Sequence, residues 1–227
     1  MRKQIIVDLD GVVFNTHTTL EDIVKQRYPN FRMSKVYTWA FDKDLTELPK
    51  EVLKKYLSKE DFDKLSKGYQ YLLQADRDYI FEVLSDVKLY KKQPFNKKSD
   101  RLKKLMIMKD IEVVFSTAII PSSKANEIAW VKKLRLQDKY AGYDYKLDIH
   151  IGNTKPVYKN AIAVIDDHLG NLKPYEIMGS KLFLIDAPFN RFELNPQYGL
   201  KDRVIRVKDI GEAVKYCLNY KKGVVIC

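Results

Sequence analysis

The stretch Ile5-Ile6-Val7-Asp8-Leu9-Asp10-Gly11-Val12 runs from an apolar segment into two aspartates one residue apart, then a glycine. An apolar run of this length, closed by a turn signal, reads as a buried strand. If the strand continued, alternation would put Asp8 and Asp10 on one side. At a strand end the chain turns instead. Two carboxylates then share a small volume at the carboxyl edge of a sheet, where open α/β folds bind ligands. Clustered carboxylates repel unless a divalent cation or a shared proton offsets the charge, so a metal site is the natural expectation. The plainer alternative is a pair of solvated turn residues, because Asp and Gly are ordinary in turns.

The same pattern recurs downstream. Strands are predicted at Gln4–Leu9, Ile111–Phe115, Ala161–Ile165, Lys181–Ile185 and Val204–Val207. The first four end in polar or turn residues: Asp8-Leu9-Asp10-Gly11, Ser116-Thr117, Asp166-Asp167 and Asp186-Ala187-Pro188. Helical patterns lie between them. Ser99-Asp100 precedes Leu102, Leu105 and Met106; Ser122-Ser123 precedes Ile128, Val131 and Leu134; and Asp209-Ile210-Gly211-Glu212 is a capping box. Alternation of this kind predicts an α/β fold, a Rossmann-like parallel sheet flanked by helices, with its polar residues gathered along one edge. Residues 15–93 carry helical patterns and no convincing strand, too long an excursion for a plain crossover. They are expected to form an inserted helical cap domain, with 1–14 and 94–227 forming the core.

Composition bounds the partners. The 227 residues hold 41 Lys and Arg against 30 Asp and Glu, a net +11, with 45% hydrophobic and 31% charged residues. A basic surface steers anions inward, so phosphorylated metabolites and nucleic acids are both admissible, while solvated lysine faces are the plainer account. The two cysteines, Cys217 and Cys227, provide neither zinc spacing nor a disulfide framework. There is no secretory h-region and no apolar run near the ~18 residues that span a bilayer. A reduced, cytoplasmic protein with no membrane association is expected.

Further residues join the opening motif: the hydroxyls of Ser116 and Thr117, Lys155 in a polar loop, and Asp166-Asp167 at a strand end. In this order the set resembles the haloacid dehalogenase-like phosphohydrolases, whose motifs are Asp-x-Asp-Gly, a Ser or Thr, a Lys and an Asp-Asp pair. Asp-Gly-Val-Val, Ser-Thr-Ala, Ala129-Trp130-Val131 and Ile185-Asp186-Ala187-Pro188-Phe189-Asn190 are further similar to the 5′(3′)-deoxyribonucleotidase group.

That resemblance implies Asp8 as nucleophile and Asp10 as general acid and base. It implies Mg²⁺ held by Asp8, the Asp10 carbonyl and Asp166, and Ser116 and Lys155 on the transferring oxygens. Thr117 competes with Ser116 for the hydroxyl role; Ser116 is preferred as the first polar residue after the strand. Asp167 is expected to orient waters or Lys155 rather than to ligate the metal. His168 is either a base-facing side chain or an ordinary helix-start histidine. Phe14 is expected to line the pocket, and Tyr37, Trp39 and Phe41 to stack on a base or to form cap core; such stacking is worth ~1–3 kcal/mol. The expected partner is a small phosphorylated substrate, a deoxynucleotide foremost, with a homodimer left open. Two alternatives stand beside it. One is a phosphatase acting on nucleic-acid 3′-phosphate ends or another phosphorylated metabolite. The other is a catalytically silent binding protein on the same fold.

Overall fold

The computed structural model describes residues 2–27, 79–152, 154–187, 190 and 203–221. Six strands form one sheet: β1 (Lys3–Asp8), β2 (Ile111–Ile119), β3 (Lys146–Ile151), β4 (Ala161–Asp166), β5 (Lys181–Ile185) and β6 (Val204–Val207). Their order is β3-β2-β1-β4-β5-β6, and every pairing is parallel. The central strands carry unbroken apolar runs, residues 5–7 in β1, 113–115 in β2 and 161–165 in β4, because both faces are covered, as parallel sheets require. Ile5 and Val7 of β1 face Val113, Phe115, Ala163, Ile165 and Phe183, whereas Ile6 turns to Val114, Val164 and Leu182. Each such side chain, fully enclosed, contributes about 1.5–3 kcal/mol.

The helices are α1 (Thr16–Val24), α2 (Val87–Lys92), α3 (Lys103–Met106), α4 (Ala125–Lys139), α5 (Leu169–Leu172) and α6 (Ile210–Lys221), with residues 79–84 also helical. Leu105, Leu136, Tyr140, Ala213 and Val214 seal one face of the sheet, and Leu169, Leu172 and Tyr175 the other. At the start of α6 the Glu212 N–H donates to Asp209 Oδ1 at 3.0 Å, as a capping box should. The Glu212 carboxylate returns to the Lys208 N–H rather than to that of Asp209.

A third apolar cluster joins Leu20 and Val24 of α1, Ile80, Val83 and Leu84, and Val87, Leu89 and Tyr90 to Ile119, Ala125, Ile128 and Val131. The chain leaves and re-enters the sheet region side by side. The Asn15 N–H donates to the Pro94 carbonyl and the Asn96 N–H to the Val13 carbonyl, both at 2.8 Å.

Three local expectations change. β2 runs four residues beyond Phe115, so Ser116 and Thr117 lie inside a strand rather than after it. β3 is an additional edge strand; its residues Lys146-Leu147-Asp148-Ile149-His150-Ile151 alternate in polarity, and none is fully buried. On α4 the inward stripe is Ala125, Ile128, Val131, Lys132 and Leu136, while Leu134 is 45% exposed. At 3.6 residues per turn Leu134 lies about 120° around the helix from Ile128, whereas Lys132 stands only about 40° from it.

Candidate active site

The pairing register brings the site together. Asp8 ends β1 beside Ser116 of β2, and Val7 pairs with Ile165 of β4, which sets Asp166 next to Asp8. Asp8, Asp166 and Asp167 are all buried, and one carboxylate oxygen from each lies within 4.8 Å of the others. Lys155 donates to Asp8 Oδ1 at 2.5 Å and to Asp166 Oδ2 at 2.7 Å. The other Asp166 oxygen accepts from the His168 N–H at 2.9 Å and from Asn171 Nδ2 at 3.0 Å, so the turn into α5 holds this carboxylate in place. Asp167 Oδ2 lies 3.0 Å from His17 Nε2. Beneath it, buried Asn190 donates to the Asp167 and Ile185 carbonyls at 2.7 Å each, tying the ends of β4 and β5 together.

Gly11 is needed where these groups meet. Its φ is +79°, and a Cβ there would come within 2.0 Å of Asp167 Oδ2 and 2.5 Å of the His17 ring. Any side chain would push the acid pair away from β1.

Electrostatics separate the two ends of the cluster. Burial pushes the Asp8 carboxyl well above the usual carboxylate range; Lys155 opposes that shift, and Asp166, Asp167 and Asp10 reinforce it. Burial disfavours the charged Lys155, but Asp166 and Asp8 outweigh it and hold the ammonium above its ordinary value. Asp8 and Asp166 therefore share one ammonium, and Asp167 completes a cluster of three carboxylates beside His17. Compact, oxygen-only and anionic, this donor set fits a hard divalent cation such as Mg²⁺, which Asp8, Asp166 and Asp167 would hold.

Asp10 belongs to a different neighbourhood. Its Oδ1 lies 3.1 Å from the Thr16 hydroxyl, and its Oδ2 accepts from Thr117 Oγ1 at 3.1 Å and from Lys132. Lys132 also donates to Thr117 Oγ1 at 3.2 Å and sits 4.7 Å from the centre of the Tyr90 ring. Thr16 in turn lies 2.9 Å from Gln93 Oε1, and Gln93 Nε2 has no partner among the described residues.

The expected site residues thus divide. Asp8, Lys155, Asp166 and Asp167 converge, and Asp10 stands beside them with Thr117. Ser116 is buried and lies 3.4 Å from the Tyr158 hydroxyl, which also meets Asp148 at 2.5 Å. Asp167 meets His17, and no contact joins it to Lys155 among the described residues. Phe14, expected to line the pocket, is a core residue. It is fully enclosed and stacks on Phe95 with ring centres 4.8 Å apart. The His168 ring is half-buried beside Gly170. Tyr37, Trp39 and Phe41 lie outside the described residues. Lys132, Thr16 and His17 were not anticipated; only Lys132 left a trace, as a lysine in an otherwise apolar helical stripe.

No protein-family model and no curated protein matches the chain. Solved structures do. A haloacid dehalogenase-like family hydrolase from Streptococcus pneumoniae superposes with a TM-score of 0.50 at 13% identity, covering 95% of this chain and 98% of that one. An archaeal β-phosphoglucomutase from Pyrococcus sp. strain ST 04 gives a TM-score of 0.50 at 16% identity, over 97% and 99%. The fold is that of the haloacid dehalogenase-like hydrolases. An L-2-haloacid dehalogenase from Xanthobacter autotrophicus also aligns, at 11% identity and a TM-score of 0.49, over 96% and 99%. Among the described residues no helix is long and apolar enough to cross a membrane.

Proposed function

We propose that this protein is a Mg²⁺-dependent phosphomonoesterase that hydrolyses (deoxy)ribonucleoside monophosphates through an aspartyl-phosphate. The observation that carries the reading is the meeting of the Asp8, Asp166 and Asp167 carboxylates with Lys155 at one sheet edge. The nucleotide preference rests on the resemblance of the motifs to the deoxyribonucleotidase group, and segment 15–93 is assigned the recognition of the base.

In the first half-reaction an Asp8 oxygen attacks phosphorus in line, the ester P–O bond breaks, and Asp10 gives its proton to the departing alcohol. In the second, Asp10 takes a proton from water as that water attacks phosphorus, which releases phosphate and restores the Asp8 carboxylate. Lys155, already between Asp8 and Asp166, offsets charge on the transferring oxygens. Of the two hydroxyls, Thr117 touches Asp10, whereas Ser116 pairs in register with Asp8 and faces Tyr158. Mg²⁺, when bound, supplies the positive charge that three carboxylates and one ammonium lack, and draws the phosphate dianion to a buried acidic floor.

Phosphate release with Mg²⁺ from a panel of 5′- and 3′-deoxynucleoside monophosphates, ribonucleotides and a 3′-phosphorylated oligonucleotide tests the proposal. Turnover of a mononucleotide that disappears with chelator and in Asp8→Asn is the expected result. Turnover of the oligonucleotide alone would overturn the substrate assignment. Silence toward the whole panel would overturn the nucleotidase reading and put another phosphorylated metabolite, or the catalytically silent protein, in its place.

A further inference from the structure

Lys132 occupies a position where a lysine is costly. It is 1% exposed, on the inward stripe of α4, and an ammonium withdrawn from water needs a fixed partner. Its charged partner is Asp10, whose side chain is 27% exposed. The geometry of that contact is specific. A carboxylate offers about four lone-pair directions, two on each oxygen. At Asp10, Oδ2 accepts from both Thr117 and Lys132, and Oδ1 meets Thr16 alone. Among the described residues both directions on Oδ2 are taken, while Oδ1 keeps at least one open, since Asp10 Oδ1 and Gln93 Oε1 compete for the single Thr16 hydroxyl proton.

We propose that Lys132 is a positioning residue that selects the oxygen through which Asp10 moves its proton. With Lys132 and Thr117 both directing hydrogens at Oδ2, that oxygen has no room for an acidic proton. The transferable proton is confined to Oδ1, and Thr16 fixes the angle about the carboxylate. Lys132 itself exchanges no proton and touches no substrate. It acts through Asp10, as the buried partner of a catalytic histidine acts by selecting the tautomer. Thr117 closes the arrangement by donating to Asp10 while accepting from Lys132. The Tyr90 ring, 4.7 Å from the ammonium, covers it from the side of α2.

This inference rests on the acid and base role proposed above for Asp10, and the test separates the two. Deoxyuridine 5′-monophosphate expels an alkoxide that needs a proton, whereas 4-nitrophenyl phosphate expels a stable phenolate that does not. With Lys132→Met, kcat on the nucleotide is expected to fall about 100-fold while KM stays within about threefold. The aryl ester should lose less than about fivefold, in line with the contribution of one well-placed general acid. Lys132→Arg, which keeps the charge and the donors, should recover part of the nucleotide rate. In an Asp10→Asn background Lys132→Met should cost nothing further. That double variant carries neither charge, so it remains measurable if Lys132→Met alone does not fold. Equal losses on the two esters, or a full additional loss in the Asp10→Asn background, would overturn the role of Lys132 and leave the phosphatase reading intact. A wild-type protein inactive on both esters would remove the phosphatase reading, and this inference with it.

Discussion

Asp8 and Asp10 are chemically identical, two residues apart at one strand end, and their surroundings have almost nothing in common. Asp8 is enclosed with Asp166 and Asp167; Lys155 pairs with Asp8 and Asp166, and His17 with Asp167. Asp10 keeps contact with solvent and has an ammonium of its own, with two threonine hydroxyls beside it. One side carries more carboxylates than lysines, and the other pairs one with one. A divalent cation therefore has a reason to bind on the Asp8 side and none at the Asp10 carboxylate. Two roles follow from environment alone, as when a pair of carboxyls is divided between acid and nucleophile.

The sharpest way to break that division is to neutralise each aspartate in turn. Asp8→Asn should abolish turnover of every phosphate ester, by on the order of 10⁴-fold or more. Asp10→Asn should cost about 10²–10⁴-fold on alkyl esters and much less on 4-nitrophenyl phosphate. Steady-state rates on the two esters decide it; equal losses in both variants would make the two carboxylates one functional unit. Asp8→Asn also sharpens the comparison with no substrate present. Burial raises the Asp8 carboxyl in the folded protein, so the metal-free native state holds a proton that the unfolded chain has released. Stability from this group is therefore lost as pH rises from the unfolded value toward the raised folded one. Thermal melts in chelator should show wild type falling behind Asp8→Asn across that window, and Mg²⁺ should close the gap.

Phe14→Ala asks whether the residue after the motif belongs to either side. Fully enclosed against Phe95, it should cost about 3–5 kcal/mol in urea unfolding, with KM unchanged in the folded protein. A shifted KM with intact stability would put Phe14 back in the pocket. Gly11→Ala strikes the acid cluster first and reaches Asp10 only through the Gly11 N–H bond to Thr16. The positive φ costs about 1–2 kcal/mol for any residue with a Cβ. The Cβ also displaces Asp167 and His17, so Mg²⁺ affinity by calorimetry should fall about 10–100-fold, the range for groups that orient ligands. The ratio of rates on the alkyl and aryl esters should change less than in Lys132→Met, because Asp10 keeps Lys132 and Thr117.

What the sequence disclosed follows the same division. β1, β2 and β4 carry apolar runs followed by carboxylates or hydroxyls, which in β2 lie within the strand, so strand and acid cluster could be read together from Asp8, Asp10, Ser116-Thr117 and Asp166-Asp167. β3 has no such run; its signal is the polar–apolar alternation of Lys146–Ile151, the mark of a half-buried strand that a search for apolar runs passes over. The neighbourhood of Asp10 stayed hidden for a related reason. Lys132 and Gln93 are polar residues in buried places, held there by Asp10, 122 positions away, and by Thr16, 77 positions away. Periodicity records which residues avoid water; it is blind to a charge whose water is replaced by a distant carboxylate.

That blindness gives the smallest effect and a clean contrast on one helix. Hydropathy ranks Leu134 as the core residue of α4 and Lys132 as a solvated one; burial reverses both. Leu134→Gln removes a side chain that is 45% exposed, so it forfeits little apolar burial and leaves no cavity. Stability measured by urea unfolding should move by no more than about 0.5 kcal/mol, and both ester rates should match wild type. Lys132→Met, two residues earlier and apolar, strands the Asp10 carboxylate without its ammonium and should change the ester ratio. If Leu134→Gln proved the more damaging of the two, α4 would be turned about its axis, and Asp10 would have a different partner.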